Sequence, residues 1–387
     1  MSTSPTRIEE PLGRRLQGRR EEFGASLNQL AEWSGVDAAR LAQIEEGSPI
    51  RAWEFESICR GLAVDSGAMA RGGDRNPRRS VARFRSADWI TPTSEDLRIL
   101  ALAAELGRIG GFLESQGARR AEALAVLRHP QPISRREEPW KEGYRLGENA
   151  RRALRAKSGP IEELEGFFTN HGVQIARVSF SSPNLDAASL WEDNALPVIL
   201  LNERSPRSRS TLSRRALLAH ELCHLLHDSG DRDLTTQLSW SENTGNYHHV
   251  TEQRARAFAP AFLAPRDEVR QWFRAGPGRR LHASRAKVEE LARRWGFSVR
   301  GAIWHAKNCE VIAPQTAATL DREIPDQEHD WSSEFEQGPS NISEAWVSEL
   351  GESIAPIAQG LIASLVSQGV LMGAISEGRG REILTWA

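Results

Sequence analysis

The chain lacks several features that mark particular classes of protein. It has only three cysteines, an odd number scattered along 387 residues, which argues against a disulfide framework and is typical of a reducing cytoplasm. No apolar run approaches the roughly eighteen residues of a membrane span, and no signal peptide is visible at the polar N-terminus. No internal repeat is visible. We therefore expect a cytoplasmic protein that neither crosses a membrane nor is exported.

Neither sign of charge dominates the composition. The formal net charge is −2, and 39% of the residues are hydrophobic, which describes an ordinary soluble protein. The length is sufficient for two or three domains with a sizeable core.

The most informative segment is His220-Glu221-Leu222-Cys223-His224. Two histidines four positions apart lie about 40° apart around a helix, so both imidazoles can reach one ion. Glu221 can hold a water on that ion and accept its proton, as in the HExxH arrangement of zinc peptidases. No proline or glycine interrupts residues 213–228, and the leucines there follow helical spacing. We therefore predict an amphipathic helix over this segment.

A two-histidine zinc site needs a third protein ligand and an open position for water. Glu252 lies 28 positions after His224, in a stretch, 251–263, that we predict to be helical. It shares one face with Ala255 and Ala259, and such small residues allow close approach to the first helix. Glu252 is therefore the candidate third ligand. The alternative is a solvated first-turn glutamate that the helix dipole favours.

These two motifs resemble those of the ImmA/IrrE family of bacterial metallo-endopeptidases. The likeness rests on residues 215–228 and on Glu252-Gln-Arg-Ala-Arg-Ala-Phe-Ala259 followed by Leu263-Ala-Pro265, and it extends over about 140–312. It implies a zincin-like core in which His220, His224 and Glu252 bind Zn²⁺ and Glu221 is the catalytic base. Two positions depart from the family pattern. Cys223 stands where glycine is usual, and Asp228 stands where a further histidine is common.

Residues 11–70 show the pattern of a helix-turn-helix. Ser26 and Asp37 can cap successive helices, and Gly35 supplies the turn between them. The stretch 27–47 is similar to Xre/Cro-type DNA-binding domains, in which the second helix, here 38–45, enters the major groove. The candidate DNA contacts on this helix are Ala38, Ala39, Arg40 and Gln43; Arg40 suits guanine and Gln43 suits adenine.

The charge of this module leaves its role open. Residues 11–70 contain seven arginines, no lysine and nine acidic residues, whereas DNA-binding domains usually need basic residues for phosphates. The following segment, 71–85, has six arginines and one acid; Arg78 and Arg79 are its candidate phosphate contacts. The alternative is a dimerisation or protein-docking module followed by a solvated arginine linker.

The remaining segments complete the predicted organisation. We expect helices over 94–128 and 140–156, strands at 172–178 and 197–202, and a strand containing Leu190-Trp191 between them. A polar loop over 228–250 carries Tyr247, His248 and His249, which can stabilise an oxyanion or can simply be solvated. Residues 288–311 form a helical pair.

The C-terminal part begins with an acidic linker. This linker spans 321–339, and a helical region spans 342–386. The apolar patch at 357–374 is interpreted as a packing helix or an oligomer helix that forms a homodimer.

Together these patterns predict a mainly α fold with a small β-sheet (α+β). The expected domains are a helix-turn-helix bundle at 1–70, a basic linker and helical connector at 71–139, a peptidase domain at 140–312 and a helical C-terminal region at 313–387. The predicted function is zinc-dependent endoproteolysis of a repressor or antitoxin-type protein in bacterial gene regulation and stress response. The alternatives are a DNA-binding regulator that senses without proteolysis and a structural partner in a defence or toxin–antitoxin assembly. Histidine and carboxylate ligands accept Mn²⁺ as well as Zn²⁺.

Overall fold

A computed structural model of the protein describes residues 11–71, 93–117, 137–192, 194–228, 245–275, 285–324 and 345–386, with the side chains of 245–249 excepted. The fold is mainly α-helical with one small sheet, which confirms the predicted α+β class. The helices and strands, in chain order, are α1 (Leu12–Glu22), α2 (Leu27–Ser34), α3 (Ala38–Glu45), α4 (Ala52–Gly61), α5 (Ser66–Arg71), α6 (Ser94–Ser115), α7 (Pro139–Ala153), α8 (Leu164–Asn170), β1 (Gln174–Val178), β2 (Ala187–Leu190), β3 (Val198–Asn202), α9 (Pro206–Arg209), α10 (Thr211–His227), α11 (Gly245–Leu263), α12 (Arg266–Arg274), α13 (Arg285–Trp295), α14 (Val299–Asn308), α15 (Pro314–Glu323), α16 (Ala345–Leu350), α17 (Leu361–Leu371) and α18 (Glu377–Leu384).

Helices α1 to α5 form the helix-turn-helix module. The Ser26 hydroxyl accepts a hydrogen bond from the Gln29 N–H at the start of α2, and Gly35 ends that helix at φ 69°. The Asp37 carboxylate caps α3 by accepting from two backbone N–H groups. Leu30, Leu41 and Ile58 are buried between the helices. The predicted caps and turn are therefore confirmed.

The sheet has the order β1-β3-β2. β1 runs parallel to β3, and β2 runs antiparallel to β3. β3 is buried along its whole length, so it packs on both faces. Successive side chains of a strand point to opposite faces. Ile199 and Leu201 therefore lie in the peptidase-like core, which also contains residues of α7, α10 and α11, and Val198 and Leu200 lie in a second core on the other face.

The second core is formed by α6 and by the C-terminal region. It contains the buried side chains of Leu100 and Leu106 of α6, Ile362 and Val366 of α17, and Val198 and Leu200 of β3. Helix α17 of the patch at 357–374 therefore packs within the chain, which agrees with the packing interpretation of this patch. No helix within the described ranges is long and apolar enough to cross a membrane.

The helix-turn-helix module is attached to this second core through several polar contacts. Arg98 of α6 donates a 3.0 Å hydrogen bond to the Gly61 carbonyl. Trp386 donates to the Arg60 carbonyl at 3.2 Å, and Arg379 lies 3.3 Å from a carboxylate oxygen of Asp65.

Helices α7 and α11 approach each other closely at two glycines of α7. Gly147 faces the backbone of α11, and a Cβ atom built on it would lie 2.5 Å from Phe258 O. Gly143 faces Arg254 O still more tightly. Glycine is required at both positions because any side chain would push apart the helix that carries Glu252.

Three predicted segments differ from the structure. The helix predicted over 94–128 ends at Ser115, because Gly117 takes a left-handed φ of 91°; residues 118–128 lie outside the described ranges. Residues 321–323, predicted as linker, belong to α15, whose Ala317 and Leu320 pack into the peptidase-like core. Residues 245–250, predicted as loop, are the first turns of α11. The segment Gly-Asn-Tyr-His-His-Val contains few strong helix formers, so its local sequence gave no helical signal.

Candidate metal centre

Helix α10 presents the two histidines of the motif. The helix starts at Ser210, whose hydroxyl accepts from the Ser213 N–H, and its leucines are buried in the core. The His220 and His224 Nε2 atoms lie 3.0 Å apart. Cys223 is buried in the hydrophobic core. Arg215 donates to the carbonyls of Ile161 and Glu162, so it braces the fold.

Helix α11 brings the third predicted residue to the histidines. Glu252 Oε1 lies 3.1 Å from His224 Nε2, and Oε2 lies 3.3 Å from His220 Nε2. Among the described residues, these three form a cluster of donor atoms that could hold a metal ion. Donors about 2.0–2.1 Å from a tetrahedral Zn²⁺ lie about 3.3 Å from one another. The 3.0 Å between the two Nε2 atoms, and the 3.1 and 3.3 Å from each histidine to its nearer glutamate oxygen, are close to this value, so the cluster could hold such an ion.

The electrostatics of the cluster fit a cation. Burial is the largest single influence on His224, and it lowers the pKa. The hydrogen bonds to Asp228 and Glu252 and the charges of these two carboxylates together outweigh burial and raise the pKa to about 9. Burial also acts on Glu252, where it raises the pKa, but both histidines together lower it well below its ordinary value. A proton on the imidazole and a metal ion compete for the same electron pair, so the environment that attracts one also attracts the other.

Asp228 lies behind the histidine pair. Its Oδ2 accepts a 2.7 Å hydrogen bond from His224 Nδ1, which leaves Nε2 directed at Glu252. Its other oxygen, Oδ1, accepts from Arg254 Nη2 of α11. Sequence reasoning treated Asp228 only as a departure from the family pattern. The available signal was its spacing, since a residue four positions after His224 lies on the same helix face.

Glu221 is completely buried, and its Oε2 accepts a 2.7 Å hydrogen bond from the Ser189 hydroxyl. Ser189 lies on β2, an edge strand of the sheet. No sequence motif pointed to this serine, because its position depends on how the sheet packs against α10. The strand thus places a polar group directly on the side chain of the predicted base.

Several predicted site residues lie outside the described part of the chain. Arg78 and Arg79 belong to the 72–92 segment, which the structure does not describe. Tyr247, His248 and His249 have a described helical backbone, but their side chains are not described.

The candidate DNA contacts lie on α3. Ala39 and Gln43 are exposed, and Ala38 is half-buried. Arg40, in contrast, is engaged within the module: its Nε lies 2.8 Å from Glu54 Oε1, and it donates to the Pro49 carbonyl. The hydrogen bond from Arg40, together with the backbone N–H of Arg51, lowers the pKa of Glu54 to about 2. Arg40 therefore braces α3 against α4.

Two segments of the chain match known family models. Residues 168–301 match the family model of the IrrE N-terminal-like domain, a peptidase family termed M78, and residues 11–71 match a helix-turn-helix domain model. No curated protein and no solved structure matches the chain. The fold and the site thus define a metallopeptidase-like domain fused to a helix-turn-helix domain. The chain carries the helix-turn-helix and ImmA/IrrE combination that its motifs indicated.

Proposed function

We propose that this protein is a cytoplasmic zinc-dependent endopeptidase that regulates gene expression by cleaving a repressor or antitoxin-type protein. The observation that carries the proposal is the convergence of His220, His224 and Glu252, from two helices, at separations that suit tetrahedral Zn²⁺. The match of residues 168–301 to a peptidase family supports the same conclusion.

The chain supplies the ligands and the proton carrier of such a reaction. His220, His224 and Glu252 would hold Zn²⁺, which would supply a Lewis acid for a peptide carbonyl and for the attacking water. Glu221 would accept the proton of the attacking water and pass it to the leaving amine. Ser189 holds one oxygen of Glu221 and so fixes the orientation of the carboxylate.

The helix-turn-helix module supports a role near DNA. A peptidase whose partner domain binds an operator acts where a repressor is already concentrated, so a DNA-bound protein is a fitting substrate. The exposed Gln43 of α3 is the candidate base contact within the described residues.

The test replaces Glu221 by glutamine and supplies candidate repressors encoded near the gene. Glu221→Gln should keep zinc and lose cleavage, because the amide cannot accept the proton. Glu203→Gln, an exposed carboxylate of the same domain, is the control and should cleave as the wild type does. Unchanged cleavage by Glu221→Gln would disprove the mechanism.

A second candidate function is DNA-binding regulation in which the metal domain acts as a sensor without proteolysis. The complete burial of Glu221 favours it, because a catalytic base must reach water. A mobility-shift titration at several salt concentrations separates the two functions. Tight, specific DNA binding by a zinc-loaded protein that cleaves no neighbouring repressor would favour the sensor.

A further inference from the structure

A chain of buried charged side chains runs from α7 to the histidine pair. Arg254 is fully buried on α11, two residues after Glu252. Its Nη2 contacts Asp228 Oδ1, and its Nη1 lies 3.7 Å from Glu142 Oε2 of α7. Asp228 in turn accepts from His224 Nδ1 at 2.7 Å. Glu142 and Asp228 are each 1% exposed, so the whole series is removed from water.

Buried charges of this kind are costly for the fold. Transferring two ions from water into the protein interior costs free energy that their mutual attraction often does not recover. A buried ion pair is therefore a weaker source of stability than a hydrophobic pair of the same size. Their benefit here is geometric. Each oxygen of Asp228 has a different partner, Arg254 on one side and His224 on the other, so the carboxylate can neither rotate nor shift without losing a charged hydrogen bond.

We propose that Asp228 and Arg254 are positioning residues for the metal centre, and that Arg254 acts through Asp228. Asp228 keeps the proton of His224 on Nδ1 and directs Nε2 at the ion; Arg254 fixes Asp228. Helix α11 thereby contributes one ligand, Glu252, and also fixes a ligand of α10. The affinity for the metal consequently depends on the alignment of the two helices. This inference rests on the proposed function only in requiring that the cluster binds a metal.

The experiment measures Zn²⁺ affinity at one pH by competition with a chromophoric chelator, together with the absorption spectrum of the Co²⁺-loaded protein. The variants are Asp228→Asn, Arg254→Met, the milder Arg254→Lys, and the double variant Asp228→Asn/Arg254→Met. The matched control is Arg151→Lys. Arg151 is also a buried arginine, and it donates to the Phe262 and Leu263 carbonyls at the far end of α11, away from the cluster.

Loss of either positioning residue should weaken Zn²⁺ binding by about 10- to 100-fold and alter the Co²⁺ spectrum. The double variant should be little worse than the poorer single variant, because the two residues act in series. Arg151→Lys should lower the melting temperature of the metal-free protein and leave the affinity within about twofold.

An unchanged affinity and Co²⁺ spectrum in Arg254→Lys and Asp228→Asn, with only a lower melting temperature, would show that the charges serve the fold alone. Absence of Zn²⁺ and Co²⁺ binding by the wild type would overturn the proposed metal site itself. A zinc-loaded wild type that cleaves nothing would contradict the proposed peptidase function and leave the positioning inference intact.

Discussion

Ser189 and Glu221 are joined by a 2.7 Å hydrogen bond between the sheet and the helix of the HExxH motif. The residues lie 32 positions apart, and both are buried. The serine hydroxyl donates, so it stabilises and orients the charged form of the carboxylate.

Ser189→Ala should therefore lower kcat for cleavage about tenfold with little change in KM, because a hydrogen bond to a charged group contributes about 1.5–3 kcal/mol. Ser189→Thr keeps the hydroxyl and should restore most of the rate. Steady-state kinetics on a peptide that the wild type cleaves provide the measurement. Equal losses in the alanine and threonine variants would show that volume rather than the hydroxyl matters.

The close packing of α7 on α11 leads to a prediction about stability. Gly147→Ala should destabilise the protein by about 1–3 kcal/mol, because its Cβ would lie 2.5 Å from Phe258 O and one helix must move. Denaturant unfolding of the metal-free protein measures the change. Gly18→Ala in α1 is the control: nothing lies within 4 Å of the added Cβ, so this variant should be as stable as the wild type or up to about 1 kcal/mol more stable. Equal stabilities of Gly147→Ala and wild type would contradict the inferred backbone contact.

A buried histidine leads to a prediction about pH. His305 Nε2 donates to the Ala264 carbonyl at 2.8 Å, so Nδ1 accepts the Tyr144 hydroxyl, also at 2.8 Å. Burial lowers the pKa of His305 to about 4. Between pH 6.5 and 4 the unfolded chain therefore binds a proton that the folded chain does not, and stability should fall as the pH falls, by up to about 3 kcal/mol.

His305→Gln removes this titration while keeping a donor for Ala264. The slope of unfolding free energy against pH between 6.5 and 4 should therefore be smaller in the variant than in the wild type. Denaturant unfolding at several pH values gives the slope for each protein. The carboxylates contribute equally to both slopes, so their contribution is absent from the difference between the two. Identical slopes would mean that His305 is protonated in the folded protein.

Arg40 and Gln43 lie on the same helix, α3, but we expect different roles for them, because Arg40 pairs with Glu54 and Gln43 is exposed. Arg40→Ala removes the guanidinium partner of Glu54 and should lower the melting temperature of the module, whether or not DNA is present. Gln43→Ala removes an exposed side chain and should leave the melting temperature unchanged while weakening binding to a specific operator. A thermal melt and a mobility-shift assay on both variants test the distinction. Full operator affinity in Gln43→Ala would show that Gln43 is not a base contact, whereas absence of operator binding by the wild type would favour the protein-docking alternative for this module.

The sequence predicts those features that depend on local spacing. The caps at Ser26 and Asp37 and the pair His220 and His224 follow from residues a few positions apart, and Glu252 follows from helical spacing together with the family likeness. The partners of these residues depend on how elements pack, which no local pattern encodes. Ser189 reaches Glu221 only through the placement of β2, and Arg254 reaches Asp228 across 26 positions.

The role of the C-terminal region shows the same limit. The apolar patch at 357–374 indicated a packing or oligomer helix but not the surface that it covers. The structure places Ile362 and Val366 against the sheet, opposite the peptidase-like helices. The alternation of β3 already required a partner on that face, because Val198 and Leu200 are as apolar as Ile199 and Leu201.

This covering of β3 also affects how the protein is made. The strand that holds Ser189 pairs with β3, and the far face of β3 is covered by α6 and by residues 354–386. Helix α6 is synthesised before the site elements and residues 354–386 after them, so the core behind the sheet is completed only after the site elements have been made. A nascent chain that has not reached α17, or a fragment truncated before it, leaves part of this apolar face exposed to chaperones and to other chains, so folding of the peptidase-like domain depends on the C-terminal region.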